Sequence, residues 1–154
     1  MITFEPITEE TLYIAKEIVN SNKEYNLLEN GKAERSDTEI REEFLNGKST
    51  SVFIKADDTY IGVADYLLRN PKDGLTWIGL FMIHQDYHGF CYGTMAYLSF
   101  EEMIAKESTG TLRLAVLRNN QRAHTFWERL GYSIYGQSEV KENLVDCFEK
   151  TLPL

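Results

Sequence analysis

The stretch Trp77-Ile-Gly-Leu-Phe-Met-Ile-His-Gln-Asp-Tyr-His-Gly-Phe-Cys-Tyr-Gly-Thr-Met-Ala-Tyr97 decides how this chain is read. It opens as an apolar β-type run, passes through a short polar turn, and continues from Tyr92 with the period of an amphipathic helix. Backbone N–H groups at a helix start have no intrahelical acceptor, and the helix dipole reinforces them. A turn so placed suits an anion such as a pyrophosphate. Gly89 and Gly93 let the backbone come close to such a group. Glycine also occurs in strand-to-helix turns for conformational reasons alone, so the order of the surrounding elements has to decide.

Toward the N-terminus, Thr3 and Phe4 belong to a short strand, and Thr8 can cap a helix carrying Leu12, Ala15, Ile18 and Val19 on one side. Residues 22–32 read as a polar connector. Ser36 and Glu39 have the spacing of a capping box, with Ile40 and Phe44 four apart behind it and Gly47 as a stop. Residues 51–55 and 60–68 are strand-like runs joined by a polar turn, hence a hairpin. The turn around Pro71 and Gly74 leads into a third strand over 75–83, which completes an antiparallel meander.

Toward the C-terminus, residues 92–106 form a helix with a broad apolar surface, and residues 111–117 alternate as a strand. Asn119 or Asn120 caps a further helix in which Ala123, Phe126, Trp127 and Leu130 fall at i, i+3, i+4 and i+7, with Gly131 at the stop. Residues 132–135 and 144–150 supply the last strands. The string is β-α-α-β-β-β-α-β-α-β-β, an α/β fold with a mixed sheet and helices on both faces, read as one domain over residues 1–154. A doubly wound dinucleotide fold would place its glycine loop after the first strand, whereas this one follows the fourth.

Composition narrows the classes further. A chain of 154 residues with 43% hydrophobic residues can bury a core without metal or disulfide support. No apolar run approaches the ~18 residues of a membrane span, and no secretory leader is apparent, so the sequence reads as a soluble cytoplasmic protein. The formal net charge of −8 argues against a nucleic-acid or anionic-membrane binder and is compatible with an amine acceptor, although it also serves solubility alone. Cys91 and Cys147 lack metal-ligand spacing, and His84 and His124 signal no metal site, so none is expected.

With the order in place, the chain resembles the GNAT superfamily of acyl-CoA N-acyltransferases over nearly its whole length. The family's phosphate loop, Gln/Arg-x-x-Gly-x-Gly/Ala, is matched by His88, Gly89, Phe90, Cys91, Tyr92 and Gly93, followed by Thr94. Its later element, Asn-x-x-Ala-x-x-Phe-Tyr-x-x-x-Gly-Phe, is matched from Asn120 through Ala123, Phe126, Trp127 and Gly131 to Tyr132, and is the more specific of the two. The chain departs from the pattern at His88, where Gln or Arg is usual, at Cys91, which replaces the middle glycine, and at Trp127, where many members carry Tyr.

The departures have physical meaning. A loop that works through main-chain N–H groups loses no donor at Cys91, but a left-handed backbone there costs a non-glycine residue ~1 kcal/mol or more. His88 can donate a hydrogen bond to a phosphate or be a solvated loop residue. Trp127 either lines the thioester pocket or packs in the core beside Phe126. In neither role can its indole protonate a leaving thiolate as the family's phenol is thought to. Cys91 could be read as a nucleophile at a helix N-terminus, but no Cys-His-acid arrangement accompanies it.

The resemblance implies acetyl-CoA as co-substrate, its pantetheine following the backbone of Phe81, Met82 and Ile83 and its pyrophosphate on residues 88–94, with Asn120, Phe126 and Trp127 alongside. It also implies direct attack by a primary amine in a ternary complex, with a backbone N–H near residues 81–83 polarising the thioester carbonyl. The family often places an acid on the fourth strand as base, and residues 77–83 contain none. Asp65, Glu24 and Tyr25 are the substitutes considered, and the catalytic residues remain unassigned. Alternative readings are a CoA-binding regulatory or interaction module without transfer activity, and a scaffold that binds no CoA. The acceptor, a small molecule or peptide amine, is expected to meet the first two helices, their connector and the terminal hairpin, and the terminal strands are a possible homodimer contact.

Overall fold

The computed structural model describes residues 1–153, built on a seven-stranded sheet of order β1-β2-β3-β4-β5-β7-β6. The strands are β1 (Ile2–Pro6), β2 (Thr50–Ala56), β3 (Thr59–Leu67), β4 (Thr76–Ile83), β5 (Thr111–Leu117), β6 (Ser133–Val140) and β7 (Asn143–Thr151). The helices are α1 (Leu12–Ser21), α2 (Lys23–Asn30), α3 (Asp37–Phe44), α4 (Tyr92–Ala105) and α5 (Gln121–Arg129). All neighbouring strands are antiparallel except β4 and β5, which run parallel. The mixed sheet and the meander of β2, β3 and β4 are therefore as the hydrophobic alternation predicts.

One element departs from that reading. Residues 22–32, expected as a polar connector, contain the helix α2, whose only fully buried residue is Asn26. Its amide nitrogen donates to the Val19 carbonyl at 3.1 Å and the Ala33 carbonyl at 3.0 Å, which fixes both ends of the segment. Gly31 ends it in the left-handed conformation. A helix held by amide side chains rather than by an apolar stripe leaves little periodic signal. The capping box is present in α3, where the Ser36 hydroxyl accepts from Glu39 N–H at 3.2 Å and the Glu39 carboxylate accepts from Ser36 N–H at 3.0 Å.

Two apolar layers cover the sheet. Ala15, Ile18 and Val19 of α1 and Ile40 and Phe44 of α3 pack with Phe53, Val63, Leu80 and Met82 on one face. On the other, Ala96, Tyr97, Phe100 and Ile104 of α4 and Trp127 of α5 pack with Ile54, Ile78, Leu112, Leu114 and Phe148. Burying one such aliphatic or aromatic side chain stabilises the fold by ~1.5–3 kcal/mol. Ile78 and Phe81 share a face although they are three residues apart. The ladder accounts for this, because Asp65 pairs with Leu80 and Tyr66 with Ile78, leaving Gly79 as an extra, unopposed residue of a bulge.

The helix α5 is fastened to β7 by charge. His124 Nε2–H donates to Asp146 Oδ2 at 2.8 Å and Nδ1–H to the Asn120 carbonyl at 2.8 Å, so the imidazole carries both protons. Burial works against that cation, yet the Asn120 carbonyl and the Asp146 carboxylate outweigh it and raise the His124 pKa. The His124 hydrogen bond, only partly opposed by burial and assisted by Arg118, lowers that of Asp146.

A raised imidazole pKa contributes stability that is present below the unfolded value and lost as pH rises through the folded one. A lowered carboxyl pKa contributes stability that is lost as pH falls through its folded value. The pair should therefore stabilise most between the two. Asp146→Asn is expected to cost about 2–3 kcal/mol at pH 6 and less at pH 9, as read by urea unfolding at both pH values.

Candidate functional site

The strands β4 and β5 pair only at Thr76 with Leu112 and Trp77 with Arg113, and then diverge. Thr76 and Thr109 clasp them at the narrow end, each main-chain N–H donating to the other's hydroxyl at 3.1 and 3.0 Å. Beyond the clasp opens a cleft of about 1060 Å³. Its walls are the free edge of β4, residues 114–117 of β5, the starts of α4 and α5, the helix α2 and the tip of the terminal hairpin.

Along β4, hydrogen bonds alternate between the two sides of the strand. His84 N–H donates to the Ile61 carbonyl, and the Met82 carbonyl lies 2.5 Å from where a Cβ on Gly62 would stand, so these groups face β3. The main-chain groups of Phe81 and Ile83 therefore point away from β3, into the cleft. The Ile83 carbonyl is already engaged, accepting from Asn22 Nδ2 at 3.1 Å and from His88 Nε2 at 2.7 Å. His88 thus commits one ring nitrogen to the end of β4. It holds the turn against the strand, neither as a solvated residue nor with that nitrogen free for a phosphate.

After His88 the backbone turns through Gly89, at φ 87°, and Cys91, at φ 64°, before α4 begins. None of the N–H groups of residues 89–94 has a protein acceptor among the described residues. Six main-chain donors at the start of a 14-residue helix make a concentrated anion-binding surface. Gly93 lies close to the second aromatic element. A Cβ there would stand 3.3 Å from Phe126 Cε1, tighter than most packed side chains stand, so a side chain at this position would require the Phe126 ring to give way slightly.

Among the residues expected at the site, Phe81, Met82, Ile83, His88, Gly89, Cys91, Gly93, Thr94, Asn120, Phe126 and Trp127 line the cleft, whereas Phe90 and Tyr92 do not. Phe90 is 66% exposed, and Tyr92 stacks edge-on with Tyr87 at 5.6 Å between ring centres. Asn120 caps α5, accepting from Ala123 N–H at 3.2 Å. Trp127 is 7% exposed and packs edge-on against Phe81, Tyr97, Phe126 and Tyr132, so it belongs to the core and to the cleft floor together. Tyr97 and Tyr132, hydrogen-bonded to each other at 2.6 Å, are buried outside the cleft, and burial raises both phenol pKa values, so neither substitutes as an acid.

The opposite end of the cleft carries carboxylates. Glu24, Tyr25, Leu28 and Glu29 of α2 face it, together with Asn143 and Val145 of β7. Asn143 Nδ2 donates to the Glu29 carbonyl at 2.7 Å, and Tyr25 packs on Leu117, Val145 and Cys147, so α2 bridges the gap to the terminal hairpin. Of the candidate bases, Glu24 and Tyr25 line the cleft, while Asp65 is buried behind β4. Burial and the neighbouring Glu29 carboxylate push the Tyr25 phenol up, which leaves its hydroxyl un-ionised. The sequence reading missed Glu29, Asn22 and Arg35. For Asn22 and Glu29 the signal would have been a helical spacing in residues 22–32, which the polar composition concealed, whereas Arg35 lies beyond that segment and carried none. Among the described residues, no three His, Cys, Asp or Glu side chains converge to hold a metal.

The architecture is a sheet split between two parallel strands with a helix N-terminus at the split, and comparison with known proteins identifies the class. The profile of the acetyltransferase (GNAT) family matches residues 15–132, and the chain belongs to that family. An acetyltransferase from Thermus thermophilus superposes with a TM-score of 0.81 at 15% identity, covering 99% of this chain and 97% of that one. The aminoglycoside acetyltransferase AAC(6')-Ib, solved with coenzyme A, gives 0.79 at 15% identity over 98% and 95%. The PaiA N-acetyltransferase from Thermoplasma acidophilum, also with coenzyme A, gives 0.69 at 17% identity over 98% and 99%. At such identities the likeness is one of fold. No curated protein sequence matches the chain. No helix among the described residues is long and apolar enough to cross a membrane.

Cys91 holds a conformation that favours glycine, at an expected cost of ~1 kcal/mol. Cys91→Gly should leave the cleft intact and stabilise the protein by about 0.5–1 kcal/mol, whereas Cys91→Val should destabilise it by at least ~1 kcal/mol. Urea unfolding of the three proteins under reducing conditions measures both differences.

Proposed function

We infer that this acetyltransferase moves an acetyl group from acetyl-CoA to a primary amine by direct attack within a ternary complex. The observation that carries this reading is two groups of uncommitted main-chain donors at one cleft. Phe81 and Ile83 supply the first on the free edge of β4, and the N–H groups of residues 89–94 supply the second at the start of α4, while those of residues 84–88 between them are engaged within the protein. Pantetheine amides extend the sheet along Phe81 and Ile83, and the pyrophosphate is held by residues 89–94. Cys91 keeps its N–H and serves as a main-chain donor, not a nucleophile. Phe81 N–H faces the thioester carbonyl and stabilises its developing negative charge, an effect worth a few kcal/mol where it has been measured.

Phe126 and Trp127 form the apolar side of the thioester channel, and His88 positions the loop through the Ile83 carbonyl. The acceptor enters from the α2 end, where Glu24 and Glu29 attract a cation. Trp127 gives a second reading its footing, because an indole in place of a phenol supplies no proton for the thiolate. In that reading the chain binds CoA and transfers nothing.

Free-thiol release from acetyl-CoA across polyamines, amino sugars, amino acids and N-terminal peptides separates the two. Transfer predicts amine-dependent release, while a binding module predicts thermal stabilisation by CoA with no release. Gly93→Val, which drives a side chain into Phe126, should weaken CoA binding by tenfold or more, equivalent to at least ~1.4 kcal/mol by calorimetry.

A further inference from the structure

The cleft has a second strand edge, which an acyl-CoA lying along β4 leaves unused. At the two ends of the ladder between β5 and β7, Leu152 N–H donates to the Gly110 carbonyl at 2.7 Å and Arg118 N–H to the Leu144 carbonyl at 3.0 Å. Antiparallel hydrogen bonds recur at every second residue, so Leu112, Leu114 and Val116 turn their main-chain groups to β7. Arg113, Ala115 and Leu117 turn theirs the other way. Arg113 belongs to the last pair with β4, and the Leu117 carbonyl accepts from Asn120 N–H at 2.9 Å. Ala115 N–H, Ala115 C=O and Leu117 N–H are left facing the cleft with no protein partner among the described residues.

Their depth restricts what can satisfy them. Ala115 and Leu117 stand two and four residues beyond the last pair of β4 and β5, as Gly79 and Phe81 do on β4, so they are level with the site of the thioester carbonyl. A ligand that bonds to them carries an amide close to its reacting nitrogen. The α-amine of a peptide does so, because the N–H of the second residue is separated from it by one residue alone. A lysine ε-amine stands a four-carbon stem away from its nearest main-chain group. Polyamines and amino sugars have no amide to offer.

The mouth of the cleft points the same way. Glu29 shares its charge with Arg35 at 2.9 Å, Glu24 has no ion-pair partner among the described residues, and Lys141 of the hairpin turn lines the same end. One free carboxylate near a lysine suits a single ammonium better than a polycation. The rim is apolar. Leu28 of α2 is 40% exposed and Val140 of β6 is 47% exposed, and both line the cleft. Asn143 brings them together, since it pairs with Val140 and donates to the carbonyl of Glu29, the residue after Leu28. Either side chain alone would be ordinary surface, but flanking one opening they match apolar side chains that follow the amine.

We propose that the acceptor is the α-amine of a peptide or protein N-terminus whose first amide N–H donates to the Ala115 carbonyl and whose next side chains rest on Leu28 and Val140. The proposal rests on the acetyl-transfer reading. Main-chain bonds to a free strand edge hold the peptide, and the apolar rim selects among sequences. The neutral α-amine forms the new C–N bond as the C–S bond breaks, one of its protons ends on the departing sulfur, and the products are an N-acetyl peptide and the CoA thiol.

The test follows thiol release from acetyl-CoA by the full chain with five kinds of amine. These are a tetrapeptide amide beginning alanine-leucine-valine, the same compound with an ester in place of its first amide, a counterpart with serine at the second and third positions, an N-blocked lysine peptide, and the small amines spermidine and glucosamine. The apolar peptide should exceed the lysine peptide and both small amines in kcat/KM by about 100-fold or more. The ester, which lacks the N–H for Ala115, and the serine peptide should each fall by about tenfold. Leu28→Ser and Val140→Ser, at exposed positions, should raise KM for the apolar peptide by about fivefold at unchanged acetyl-CoA affinity and melting temperature.

An ester as good as the amide means that the β5 edge serves another group, and overturns the proposal. So does a lysine peptide or small amine that matches the apolar peptide. Release with none of these amines while acetyl-CoA binds would overturn acetyl transfer and this proposal together, whereas turnover of the small amines alone overturns this one only.

Discussion

Everything at the site depends on two parallel strands that begin as neighbours and do not remain so. A ladder between β4 and β5 would satisfy every N–H and C=O along their edges, and it stops after Trp77 and Arg113. Each strand is fully paired on its outer side, β4 with β3 and β5 with β7, so the separation costs the sheet nothing elsewhere. The threonine clasp at Thr76 and Thr109 fixes where the split starts. The bulge at Gly79 turns β4 just beyond it. What remains is an internal strand edge that is neither covered nor exposed to aggregation, because helices guard both of its mouths.

The split also separates charge. At one end the helix α4 points its N-terminus and unpaired N–H groups into the cleft, and at the other α2 presents Glu24 and Glu29. An anion and a cation are thus favoured at opposite ends of one cleft. Against a net charge of −8, the unpaired donors of residues 89–94 are a local exception to a field that otherwise disfavours anions.

Much of this was legible in the sequence because it rests on local chemistry. Ser36 and Glu39 announced a helix start, the alternation of Leu112, Leu114 and Val116 announced a half-buried strand, and the spacing of Ala123, Phe126 and Trp127 announced the face that α5 packs. Cys91 was legible as a strained position only because the family resemblance aligned it with a glycine. The structure shows the strain as a positive φ. Other features were hidden because they arise between distant segments. The engagement of His88 with the Ile83 carbonyl, the helix α2 held by Asn26, and the meeting of Arg35 with Glu29 and Glu43 all need tertiary contacts that no local period encodes.

The helix α2 sends one side chain, Tyr25, against the apolar clusters, and the rest of its hold on the molecule comes from amide and ionic contacts at Asn26, Arg35 and Asn143. This wall of the cleft is therefore built on a segment whose remaining side chains contribute little to the fold. Glu24 and Leu28 line the cleft and take no part in the sheet, the split or the turn before α4, so substitution there alters the lining and leaves the frame in place. In such an arrangement the lining of one end of the cleft can drift in sequence while the sheet that forms the cleft is kept.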